Sequence, residues 1–215
     1  MAISSHLTLL TGIAGINVYI VRILKLPFDI SLHFYFFFFV GVIITGILKM
    51  FFYSSVGAGF LGTLGSSALL YVSIHWIILG NTINIPLLYI QGLLLGFGAS
   101  MTLVSGSMAT LLDGDLKEAA QRSQTMHTIR NFSAAMLIPI IAYTIKNHIQ
   151  KGTQSIYAEN ITDKMIYLKK LQDVAIDADH QIFLLMIIFN MVMFVSSIIQ
   201  MILGKGRRIT PPRES

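Results

Sequence analysis

The chain has no cysteine. That absence excludes disulfides, zinc–thiolate sites and thiol nucleophiles, and says little about redox compartment. Charge is also scarce: 12% of the 215 residues are Asp, Glu, Lys or Arg, against about 25% in an ordinary soluble domain. Histidines are few and scattered. His33, His75 and His148 fall near the ends of apolar runs, and none is spaced to place two ligands on one helix face. The pattern therefore offers no metal site, and nothing in it asks for a cofactor. A phosphate-cradling loop is excluded at Gly96-Phe97-Gly98, which lies inside an apolar run with no strand before it. The net charge of +5 is not a nucleic-acid signature. Lys205, Arg207, Arg208 and Arg213 crowd the C-terminal tail, where they suit a helix end on the cytoplasmic side of a membrane.

What the chain has in abundance is apolar sequence, 54% of its residues, with a mean hydropathy of +0.73. A bilayer-spanning helix needs roughly 20 mostly apolar residues. Six stretches meet that length: 7–26, 30–52, 57–79, 86–111, 125–147 and 181–203. Asn17 and Arg22 interrupt the first, so a five-span alternative stays open. The last reads as a clean apolar run. Residues 1–6 lack a positive leader region and no small-residue cleavage site precedes Arg22, so insertion is expected to rely on the spans themselves. The expected fold is an all-α, six-helix transmembrane bundle. Residues 1–148 form its first five spans, 149–180 a polar outer loop, 181–204 the sixth span and 205–215 a basic cytoplasmic tail. Within the loop, Ile161, Met165, Leu168 and Leu171 recur at three- and four-residue steps, which fits either a short amphipathic helix or a flexible connection. Basic residues in the short loops favour both termini on the cytoplasmic side.

Residues 86–145 carry the most specific pattern. Gly92, Gly96 and Ser100 repeat every four residues, and Gly98, Thr102 and Gly106 form a second ridge beside them. Small residues at this spacing let helix backbones approach closely in lipid. Two readings stand: a sliding or rocking contact, and plain tight packing. A charged turn with Asp113 and Asp115 follows, and then Arg130 lies one and a half turns into the next span. Arg130 either snorkels to the headgroups, or sits in a polar cavity or in a pair with Asp113 or Asp115. Pro139 lies inside the fifth span, where it would bend the helix. No carboxylate stands deep inside any of the six spans. An intramembrane serine hydrolase would need a nucleophile such as Ser100 near His127 or His75, but Ser100 falls on the packing ridge. The chain is therefore not expected to be an enzyme.

The order of these elements resembles the C-terminal half of a major facilitator superfamily transporter. It is most similar to the fourteen-span multidrug:proton antiporter branch. Gly46-Ile-Leu-Lys49, Gln91 to Gly98, Arg130-Asn-Phe-Ser-Ala-Ala135 and the polar stretch 149–180 carry the likeness. Ser133 and Ala134 stand where that family pairs glycines. The resemblance implies efflux of small amphipathic or cationic molecules across the plasma (inner) membrane. Gly92, Gly96, Gly98, Ser100 and Pro139 would serve helix packing and gating, with Arg130, Asp113 and Asp115 as charges at a cavity or cytoplasmic gate. A complete carrier of this type needs two bundles, so the implied partners are the lipid bilayer, a small-molecule substrate, and an N-terminal half or a second copy. The competing reading is an accessory membrane protein that binds another membrane complex through the same glycine ridge.

Overall fold

The computed structural model describes residues 1–80, 83–112, 116–158 and 163–203. All secondary structure among them is helical. Helix α1 (Ala2–Asn17) continues through a π-helical stretch, Val18–Ile23. It is followed by α2 (Phe28–Ile77), α3 (Ile85–Leu112), a short 3-10 turn (Leu116–Glu118), α4 (Ala119–Ala158) and α5 (Lys164–Leu203). Five helices are thus long and apolar enough to cross a membrane.

Local chemistry sets the ends. The chain turns at Lys25, which has a φ of 51°, and Pro27 caps α2. Asn84 opens α3, its side-chain oxygen accepting from the Leu87 amide at 3.3 Å. Asp163 opens α5 in the same way, accepting from the Met165 amide at 2.8 Å. Both are side chains suited to an N-cap, where amides are otherwise unpaired.

Two sequence expectations change. The second and third spans are two helices that follow one another without the expected loop, as the two arms of α2, a helical run of 50 residues kinked at Gly57. A straight helix of that length would run about 75 Å, more than twice a hydrocarbon core of ~30 Å. The chain reverses instead at Gly57, whose φ of 77° and ψ of 170° are open only to glycine. The ring contacts prove the reversal. Phe34 and Trp76 would lie about 63 Å apart on a straight helix, yet their centroids are 6.3 Å apart. The polar loop also changes. Residues 149–158 extend α4, and 164–180 belong to α5. Val174 meets Gly152, and the Tyr157 and Tyr167 ring centroids lie 6.2 Å apart, so the charged sequence forms a helical hairpin. Residues 159–162 and the basic tail from residue 204 lie outside the described residues.

The bundle is built on α1 and α3, the two most enclosed helices. The first arm of α2 runs parallel to α3: Phe34 meets Gly92 and Phe38 meets Gly96. The second arm runs antiparallel to it: Gly65 meets Gly98, and Trp76 meets Gln91. Helix α5 lies antiparallel to α1 and to that second arm, through Gly15–Phe183 and Gly59–Met201. The core gathers Tyr19, Phe34, Leu69, Trp76, Leu88, Leu95, Phe183 and Met186. Helix α4 is barely enclosed and keeps Phe132, Met136, Ile140 and Tyr143 exposed.

Candidate functional site

The two small-residue ridges of α3 face different neighbours. Gly92 and Gly96 receive the first arm of α2: a Cβ at Gly92 would stand 2.9 Å from the Phe34 carbonyl, and one at Gly96 would overlap the Phe38 carbonyl. Gly41 answers from the other side, against Leu93 and Phe97. Gly98 receives the second arm, 2.7 Å from the Gly65 carbonyl on the same test, and Gly106 receives Ala2 of α1. The backbones meet because no side chain separates them, the packing small residues permit in lipid.

Polar bonds cross this glycine contact. The Thr45 hydroxyl donates to the Phe97 carbonyl at 3.1 Å. Lys49, buried on the first arm of α2, donates its ammonium to the Ser100 carbonyl at 2.5 Å. Ser5 and Thr102 share a hydrogen bond of 2.6 Å between α1 and α3. With such pins the ridge holds helices in register. Ser100 contributes its backbone carbonyl to a lysine. That use, like its place on the ridge, is packing chemistry.

A second polar set lies deeper, and sequence reasoning missed it. Asn190 interrupts the run read as cleanly apolar. Its amide donates to the Leu69 carbonyl at 3.2 Å and to the Ser73 hydroxyl at 3.1 Å, while its oxygen accepts from Thr8 at 2.9 Å. One side chain thus ties α1, α2 and α5 together. Trp76 donates to the Gln91 side chain at 2.8 Å. Near the start of the hairpin, Tyr19 donates to the Gly80 carbonyl, and His180 Nε2 lies 2.8 Å from the adjacent Leu79 carbonyl. Beside His180 is Asp179, 2% exposed, with neither carboxylate oxygen hydrogen-bonded among the described residues. Asp179 precedes the 181–203 run, so it is a buried carboxylate beside a span and does not bear on the expectation that none stands deep inside one. Placing 149–180 in a loop hid Asp179. The usable signal was its spacing: Asp179, Phe183, Met186 and Asn190 follow one helical stripe.

Arg130 sits half-buried on α4, its guanidinium 2.9 Å from His127 Nδ1 and its charge reaching His6 on α1. Its expected partners, Asp113 and Asp115, lie outside the described residues. Pro139 is exposed, and α4 remains helical on both sides of it. A pocket of about 650 Å³ opens between the start of α1, the end of α3 and the start of α4. Thr110, Glu118, Gln121, Arg122 and Thr125 are among its lining residues. Arg122 pairs with Glu118 at 3.5 Å and donates to the Leu111 carbonyl at 3.1 Å. The volume suits a small molecule. No metal-ligating group of three or more His or acidic side chains occurs among the described residues. Comparison with family models, with curated proteins and with solved structures returned no match.

Proposed function

We propose that the chain crosses the bilayer six times, α2 crossing twice about Gly57, and forms one half of a facilitator-type carrier. In this reading it exports small amphipathic or cationic molecules across the plasma (inner) membrane, with both termini cytoplasmic. The observation that carries the reading is a partial exchange correspondence in the packing, which the α3–α4 contact does not share, since α1 makes no comparable contact with α2 among the described residues. Take α1 and the two arms of α2 as one triplet, and α3, α4 and α5 as the other. The first arm of α2 packs on α3 as α4 packs on α1. The second arm packs on α3 as α5 packs on α1, through Gly65–Gly98 and Gly15–Phe183. The α1–α3 contact and the contact of the second arm with α5 map onto themselves. An odd number of crossings per triplet makes the second triplet inverted relative to the first. Inverted repeats of three crossings are the building unit of each half of a facilitator carrier.

The same correspondence indicates where a partner half would sit. The first arm of α2 and α4 occupy equivalent places, and both leave large apolar side chains exposed, among them Phe36, Phe39, Phe132 and Met136. The glycine ridges then act inside the half, which rocks as one body, and the pocket beside Arg122 opens on its cytoplasmic side. The accessory reading loses its docking surface, because Gly92, Gly96 and Gly98 are already covered by α2.

The test is flux in proteoliposomes holding this chain alone, the chain with a co-expressed N-terminal six- or eight-span half, or empty lipid. Efflux of a fluorescent lipophilic cation above the empty-lipid rate in the paired sample, abolished by Gly96→Leu, is expected. A paired sample that assembles but shows only the empty-lipid rate would overturn the reading.

A further inference from the structure

The base of the α4–α5 hairpin holds an ionisable group with no structural explanation. Asp179 lies on the buried ridge of α5, one turn before Phe183, whose ring meets Trp76 at 5.3 Å and Tyr19 at 6.4 Å. Both carboxylate oxygens lack a donor among the described residues. A carboxylate removed from water without donors or a counter-charge neutralises itself or takes a cation.

The neighbouring groups decide which. From the first helix, Tyr19 faces Asp179, but its hydroxyl is committed to the Gly80 carbonyl. From the end of α2 come the Leu79 and Gly80 carbonyls, already taken by His180 and Tyr19, and His75, one turn earlier and half-buried. On α5 itself, His180 points to Leu79 and Asp177 is exposed. Arg22 and Lys25 are exposed. On α4, which meets α5 through Gly152 and Val174, Lys146 is exposed and His148 half-buried, and neither hydrogen-bonds the carboxylate. No lysine or arginine pairs with the carboxylate among the described residues, and no free set of oxygens remains to surround a metal ion, which binds through several at once.

We propose that Asp179 is a proton-binding site of the bundle. In the closed arrangement described here, a proton from water is bonded to one carboxylate oxygen. The neutral acid is the form that fits between α1, α2 and α5. When the outer end of α5 parts from Tyr19 and Leu79, water reaches the carboxyl, the O–H bond breaks and the proton leaves to solvent. As a coupling step this rests on the transport reading above; as a protonated carboxyl it does not.

Infrared spectroscopy of the purified full chain in lipid nanodiscs at neutral pH tests the assignment. The expected result is a protonated-carboxyl carbonyl band that shifts in heavy water, is lost in Asp179→Asn and is kept in Asp177→Asn. A spectrum in which Asp179→Asn removes no such band would overturn the proposal. Should that variant not fold, wild-type protein carrying carbon-13 aspartate replaces it: a neutral-pH band displaced by the label supports the site, and its absence overturns it. Because the band needs no flux, an intact band beside a failed transport assay would defeat the transport reading and leave the proton site standing.

Discussion

Gly96 and Gly46 separate two uses of the same residue. Both lie in helices, but a Cβ at Gly96 would strike the Phe38 backbone, whereas Gly46 has nothing within 4 Å of that position. Gly96→Ala should lower stability by about 1–3 kcal/mol, the usual cost of forcing a methyl into a packed contact. Gly46→Ala should raise it by about 1 kcal/mol through helix propensity alone. Thermal unfolding in detergent reads both, and equal effects would contradict the packing described. Asn190→Leu removes three cross-helix hydrogen bonds. At ~0.6 kcal/mol each for bonds inside a membrane bundle, the loss is about 2 kcal/mol. A variant as stable as wild type would show that the Asn190 hub contributes no net stability. The ridge residues were legible in the sequence because small residues every fourth position have a direct physical meaning. Asn190 and Asp179 were not, because a single polar letter in a chain does not reveal which neighbours surround it.

At the scale of elements, α2 is the instructive case. The sequence shows two apolar runs separated by Tyr53, Ser54 and Ser55, and a loop is the natural expectation. The structure needs no loop, because Gly57 alone adopts a backbone angle that reverses the chain. Gly57→Ala should cost about 1–3 kcal/mol for a side chain held in a glycine-only region. The same replacement at Gly46 is the matched control within α2. The hairpin of α4 and α5 was hidden for the opposite reason. Its lysines and aspartates read as solvated loop, yet hydrophobic positions at helical spacing, the Asp163 cap and the Gly152–Val174 contact keep it helical beyond the apolar runs. Each of these helices has 40 residues, about 60 Å, so the hairpin projects past a ~30 Å core. Gly152→Leu would place a large side chain against Val174, whose methyls would stand 2.5 and 2.7 Å from a Cβ at that position. It should splay the hairpin and raise protease sensitivity at the end of α4 and the start of α5 while leaving the bundle core resistant. Loss of protection throughout the bundle would show that the hairpin is not a separate projection.

For the whole molecule, the all-helical fold with helices long and apolar enough to cross a membrane was legible from composition and run length, because lipid admits few other structures. The inverted pairing of two triplets that we propose was not, since it rests on contacts between residues far apart in the chain. It depends on α2 crossing twice. In the proposed reading the Gly57 bend and the start of α4 share one face, and the turns at Lys25, Asn84 and Asp163 the other. The natural absence of cysteine makes the arrangement directly measurable. Single variants Ser55→Cys, Gln121→Cys, Lys25→Cys, Asn84→Cys and Asp163→Cys all replace exposed residues. With a membrane-impermeant thiol reagent applied to intact cells, Lys25→Cys, Asn84→Cys and Asp163→Cys should react, and Ser55→Cys and Gln121→Cys should react only after the cells are opened. Reaction of Ser55→Cys from outside together with Lys25→Cys or Asn84→Cys would contradict the double crossing of α2, and with it the six-span half-carrier.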